Sequence, residues 1–204
     1  MQRYLEQIQA IVRNYTKEAV PVSALEELLA ISAEQVFCKG DRIVAAGEES
    51  NVLYMLLKGL VRKFYLDPVG NDVTHMFLQE RSLFSTDFVM VHQPSLCCFE
   101  AEEECQVLTL DYGKVQQVMA REPALLSVYV GILENTLRGK VLRENSLLSQ
   151  CATERYLELK HRIPGIEERV SQAHIASYIG ITPVSLSRIR RTLREESACQ
   201  GESV

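Results

Sequence analysis

Residues 171–194, SQAHIASYIGITPVSLSRIRRTLR, combine four arginines with short hydroxyl side chains at helical spacing. Guanidinium groups donate to phosphate oxygens and guanine edges, and hydroxyls bond to either, so this mixture on one helix face suits duplex DNA. Leu186, Ile189 and Leu193 recur at spacings of three and four and mark the face to be buried. The opposite face then carries Val184, Ser185, Ser187, Arg188 and Arg191. Small residues come first and arginines follow. That order suits a helix in a major groove, with early residues at base edges and later ones near phosphates. The bland alternative is a small helical hairpin with a solvated basic face.

Two short helices and a tight turn must hold that face. Ser171 is suited to cap the first helix, in which Ile175, Ala176 and Ile179 keep helical periodicity. Gly180 ends it where positive φ costs little. Thr182 caps the second helix, and Pro183 takes its first position, where a missing N–H does no harm. Charge follows the same division. Between 160 and 194, Lys160, Arg162, Arg169, Arg188, Arg190, Arg191 and Arg194 outnumber Glu167 and Glu168, net +5. Residues 1–159 carry net −7, Glu195, Glu196 and Glu202 follow the basic stretch, and the whole 204-residue chain stands at −5. An acidic body would repel DNA and a basic end would meet it.

No apolar run reaches the ~18–20 residues that span a bilayer. The opening MQRYLEQIQAIVRNY is amphipathic rather than a secretory leader, so a cytoplasmic protein with no membrane partner is expected. The cysteines Cys38, Cys97, Cys98, Cys105, Cys151 and Cys199 form no CxxC pair and have no metal-ligand spacing with His75, His92, His161 or His174. Free thiols are the expectation, with the vicinal Cys97 and Cys98 on opposite faces of a strand, one inward and one outward. An enzyme is not expected: His75 and His92 are isolated, and no nucleophile triad, carboxylate pair or phosphate loop stands out.

Residues 2–31 predict helix, with Ser23 and Glu26 as a capping box. From Gln35 to Leu110, short apolar strands alternate with Gly, Asp and Asn turns, the texture of an antiparallel β-roll. Asp111 caps a short helix, and Pro123 opens a long one. There Leu126, Val130, Leu133, Leu137, Val141 and Leu148 form a narrow stripe resembling a coiled-coil seam, which favours a dimer over a helix packed on its own barrel. Gly131 and Gly139 weaken that helix. The fold class expected is α+β, divided as 1–122 (β-roll sensor domain with N-terminal helices), 123–150 (dimerisation helix) and 151–204 (DNA-binding domain).

Two stretches, KGDRIVAAGEESNVLYMLLKGLVRKFYLDPVGNDVT and ERYLELKHRIPGIEERVSQAHIASYIGITPVSLSRIRR, give the chain a resemblance to the Crp-Fnr superfamily of bacterial transcription regulators. The resemblance covers nearly the whole chain. It implies a cyclic nucleotide-binding-like jelly roll, a dimer helix and a C-terminal winged helix-turn-helix. Its implied partners are a double-stranded DNA operator, a second copy of the chain as homodimer, RNA polymerase and an unknown small-molecule effector.

Departures from the family pattern shape the ligand expectation. Members that bind cyclic AMP carry a Gly-Glu pair for the ribose and an Arg for the phosphate. Here the pair falls at Phe84-Ser85 or Ser85-Thr86 and the Arg at Ser95, so cyclic AMP is not expected. Arg81, Ser82, Ser85, Thr86 and Ser95 remain the candidate effector-pocket residues. No cysteine precedes Cys38, which argues against the iron–sulfur cluster of the oxygen-sensing branch; haem, for which His75 and Cys105 are the conceivable ligands, is not expected either. No cofactor or metal is assigned.

In the recognition helix, the early Arg and Glu of G-rich readers become Pro183 and Val184, and the later Arg is kept as Arg188, implying a different half-site. The candidate DNA contacts are Thr182, Val184, Ser185, Ser187, Arg188, Arg190 and Arg191. By that mapping Arg188 meets guanine, Ser185 and Ser187 meet bases or phosphate, Val184 meets a thymine methyl, and Arg190 and Arg191 serve phosphates. The competing reading is a β-roll sensor or interaction module whose helix pair no longer binds DNA.

Overall fold

The computed structural model describes residues 2–86, 89 and 92–201. Glu202 and the side chain of Cys199 lie outside the described residues. Two helices, α1 (Gln2–Val12) and α2 (Val22–Ala30), precede eight strands. These are β1 (Ser32–Phe37), β2 (Arg42–Val44), β3 (Val52–Lys58), β4 (Val61–Leu66), β5 (Asp72–Leu78), β6 (Leu83–Ser85), β7 (Cys97–Ala101) and β8 (Cys105–Asp111). Six helices follow: α3 (Tyr112–Arg121), α4 (Ala124–Ser149), α5 (Ala152–Arg162), α6 (Ile166–Arg169), α7 (Gln172–Ile179) and α8 (Pro183–Gly201).

The strands form two antiparallel four-stranded sheets, β1-β8-β3-β6 and β2-β7-β4-β5. Both faces of β3 are covered, which is why VLYMLLK reads as an almost unbroken apolar run. Period-two alternation still sorts its side chains. Tyr54 and Leu56 face the space between the sheets, with Phe84, Phe99, Val61 and Val107. Met55 and Leu57 face the opposite way, against Ile8 and Ile11 of α1, Leu25 and Leu28 of α2, and Leu125 and Val128 of α4. Cys97 and Cys98 obey the same alternation yet are both buried, at 0 % and 1 % exposure. Cys97 joins the core between the sheets, whereas the outer-face Cys98 is covered by the turn before Gly47 and accepts the Ala46 N–H at 3.3 Å. The two therefore face opposite ways as expected, and the outward one is covered rather than exposed. Cys38 and Cys151 are exposed.

Two expectations differ from the fold. Helix α2 starts at Val22 behind Pro21, with no side-chain cap, so Ser23 and Glu26 form no capping box. The Pro21 carbonyl takes the Ala24 and Leu25 N–H groups at 3.1 and 3.3 Å instead. The C-terminal unit is helical throughout its described residues, so the expected β-wing is not among them; the one-turn α6 fills the link between α5 and α7, and α8 runs on to Gly201.

The 26-residue α4 leaves the roll after its first turns. Gly131 marks its closest approach: a Cβ there would fall 1.8 Å from the Tyr15 carbonyl oxygen, so only a hydrogen fits. No such neighbour surrounds Gly139. The predicted seam is bare in the single chain, with Leu126 53 %, Leu137 64 % and Leu148 81 % exposed.

Candidate nucleic-acid interface

The helix pair α7–α8 is built from local signals that the sequence carries in full. Ser171 Oγ accepts the His174 N–H at 3.1 Å and caps α7. Gly180 ends that helix in the left-handed region at φ 77°. Thr182 Oγ1 accepts the Ser185 N–H at 3.2 Å and lies 3.0 Å from Ser185 Oγ, which fixes the start of α8. Gln172 Nε2 donates to the Pro183 carbonyl at 2.9 Å and ties the helices across the turn. Ile175, Ala176, Ile179 and Leu186 are completely buried beneath them, with Ile189 and Leu193 packed against that core.

The outer face of α8 presents Val184, Ser187, Arg188, Arg191 and Arg194 along one shallow depression. Ser187 and Arg188 are exposed, and so is Thr182; Ser185 is half-buried through its link to Thr182. Arg190 points elsewhere. Its Nε lies 2.8 Å from Glu167 and donates to the Tyr156 hydroxyl at 3.1 Å, and its side chain is 19 % exposed. Arg191 is solvated and pairs with Glu195 one turn on, at 2.7 Å.

This partition redistributes the basic charge. Lys160 and Arg190 both serve Glu167, whose carboxyl is held below the ordinary carboxylate value: partial burial works against the charge, but bonds from Lys160 and Tyr156 outweigh it. Arg169 is bound to Glu80 and Glu103 of the roll. Arg188, Arg191 and Arg194 are left to face outward from α8. The +5 of the sequence count is therefore an upper figure for what meets a ligand.

The five effector-pocket candidates have different surroundings. Arg81 is exposed beside Arg3, Glu6 and Gln7 of α1, with its backbone at φ 70° and its N–H on the Leu56 carbonyl at 2.8 Å. The Ser82 carbonyl accepts the Leu56 N–H at 2.9 Å, and Ser85 pairs with Leu53 in the sheet. Thr86 is 1 % exposed and its hydroxyl donates to the Ser50 carbonyl at 2.5 Å. Ser95, where the family arginine would fall, is 2 % exposed and donates to the Cys97 carbonyl at 2.9 Å. Between the sheets, Tyr54, Phe84 and Phe99 stack with successive centroids 4.9 Å apart. Sequence reasoning missed Lys63, whose ammonium lies 5.3 Å from the Phe99 ring centroid and 5.6 Å from that of Tyr65. His75 meets the Tyr65 ring edge-on.

Residues 34–122 match the family model of the cyclic nucleotide-binding domain. The chain resembles in fold the c-di-GMP-responsive global regulator CLP of Xanthomonas campestris, with a TM-score of 0.71 at 15 % identity over 87 % of this chain and 93 % of that one. The fold is that of the Crp/Fnr-type regulators. FixK2 from Bradyrhizobium japonicum shares this Crp/Fnr-type arrangement, with a TM-score of 0.70, 20 % identity and coverage of 82 % and 86 %. The catabolite activator protein of Thermus thermophilus also shares it, with a TM-score of 0.55, 20 % identity and coverage of 90 % and 87 %. A search of curated proteins found no match. Among the described residues, no helix is long and apolar enough to cross a membrane.

Proposed function

We propose that this chain is a homodimeric, sequence-specific transcription regulator that reads a two-fold symmetric DNA operator through α8. The observation that carries the reading is the outward row Val184, Ser187, Arg188 and Arg191 on a capped, fully cored helix pair. A helix held this rigidly with small residues before arginines matches major-groove docking. The bare seam of α4 supports the dimer, since Leu126, Leu137 and Leu148 would find cover in a second α4. We assign a signal other than cyclic AMP, because Ser95, and Ser85 or Thr86, stand where charged anchors would be needed; the Ser95 and Thr86 hydroxyls donate to backbone carbonyls. Selection of duplexes from a random pool, followed by a salt titration, tests the reading. Recovery of a palindromic site whose affinity falls steeply with salt is expected. Absence of duplex binding even at ~50 mM salt overturns it and favours a sensor module without DNA binding.

A further inference from the structure

The helix pair is not tethered to the roll by α4 and α5 alone. Strand β5 is the edge of its sheet, and α7 lies against it. The Thr74 N–H donates to Ser177 Oγ at 2.9 Å, and Ser177 Oγ donates to the Asp72 carbonyl at 3.3 Å, so a helix side chain completes the edge. Phe77 meets Tyr178 with centroids 5.5 Å apart, and Leu60 and Phe77 belong to the same buried cluster as Ile175 and Leu186.

Charge is concentrated at this contact. Arg62 of β4 is 2 % exposed, with Nη1 2.5 Å from Asp72, Nη2 3.0 Å from Glu100 and Nε 3.1 Å from Glu102. Glu102, itself 3 % exposed, reaches His174 Nδ1 of α7 at 2.7 Å, and His174 Nε2 lies 3.9 Å from Asp72. Beside it, Arg169 of α6 binds Glu103 at 2.6 Å and Glu80 at 3.1 Å. Glu100, Glu102 and His174 offer three ligand atoms within 4.8 Å of one another. The Arg62 guanidinium already supplies the positive charge there, and a cation among the same carboxylates would meet its repulsion.

We propose that this network is a latch by which the roll holds α7, and through it α8, in a fixed reading orientation, with Arg62 as the positioning residue at its centre. The inference rests on the DNA-reading role proposed above and adds what aims the reader. In the latched state the reading face is open, since Val184 is 64 % exposed and Arg191 is solvated. The latch therefore favours binding rather than blocking it. Desolvated charges of both signs at a domain contact give it one geometry: any slip leaves Arg62 or Glu102 buried without a partner.

The test uses the full-length protein and two readouts. The double variant Arg169→Gln with His174→Gln cuts the latch from the helical side and leaves Arg62 paired with its carboxylates; Arg62→Met cuts it at the centre. Hydrogen exchange at the Thr74 amide is expected to accelerate about tenfold in the double variant while β3 and β8 stay protected. Affinity for the selected duplex is expected to fall about tenfold, with non-specific duplex affinity unchanged and discrimination among half-site spacings lost. A purely structural loss would weaken both duplexes alike. Faster exchange with unchanged or tighter specific binding overturns the positioning role, and unchanged exchange overturns the latch. Failure of the wild-type protein to bind any duplex overturns the DNA reading alone, since the exchange result still decides whether the latch exists.

Discussion

Arg188 and Arg190 stand two residues apart on α8 and face different worlds. Arg188 is solvated on the outer face of α8, whereas Arg190 is folded back onto Glu167 and Tyr156. Arg188→Ala should cost ~1–3 kcal/mol of specific DNA binding and leave the melting temperature unchanged. Arg190→Ala should lower fold stability by ~1–2 kcal/mol, because it removes a charge-assisted bond and strips Glu167 of one of its cations. Paired thermal melts and duplex titrations check both. At the same scale, Cys105 behaves as a core residue: burial pushes its thiol up to about 11, far from the thiolate a redox sensor needs.

At the scale of elements, α4 carries two separate demands. Gly131→Ala should destabilise the protein by ~1–3 kcal/mol, since the Tyr15 carbonyl must retreat from the new methyl group, and a denaturant titration measures the loss. Leu137→Glu sits on the bare seam, 64 % exposed in the single chain. It should leave the monomer folded and abolish the proposed dimer by analytical ultracentrifugation, as a charge at a seam position is unpaired in the closed coil. The α7–α8 pair is legible in the sequence because its caps act within three residues: Ser171 on His174, Thr182 on Ser185. Less local features are not. The three-residue β6 owes its existence to pairing with β3, thirty residues upstream in the chain, and no period can announce it. Pro21 displaces the predicted Ser23 cap because its carbonyl is already placed to receive two N–H groups. The effector-pocket residues group by nearness in sequence, but the extended β6 lies between Arg81 and Thr86, with one exposed before it and the other buried after it.

At the scale of the whole molecule, acidity should loosen the roll from its helical reader. The Glu103 carboxyl is held below its ordinary 4.5 by the bond from Arg169. Asp72 is held below its ordinary 3.8, partial burial being outweighed by Arg62. A carboxyl depressed in the folded state contributes stability that is present above its unfolded pKa and lost as pH falls through the folded one. The contact should therefore be intact above ~pH 5 and open progressively below ~pH 4. Limited proteolysis between β5 and α7 across that range follows it; an opening that grows instead with rising pH contradicts the assignment. This contact is invisible in the sequence, since Arg62 and His174 lie on elements more than a hundred residues apart and are joined through Glu102.

The cover that α7 gives to β5 has a consequence for handling and for life in a crowded solution. A sheet edge that borrows its cap from another unit is safe while that unit stays in place. If α7 leaves, the Thr74 N–H and the Asp72 carbonyl lose Ser177, next to an already half-exposed Val73. Strand β5 then becomes a template on which a strand from a neighbouring molecule can add. The contact proposed to aim α8 is thus also a guard against strand-to-strand aggregation, and selection on solubility would preserve it even where DNA is absent.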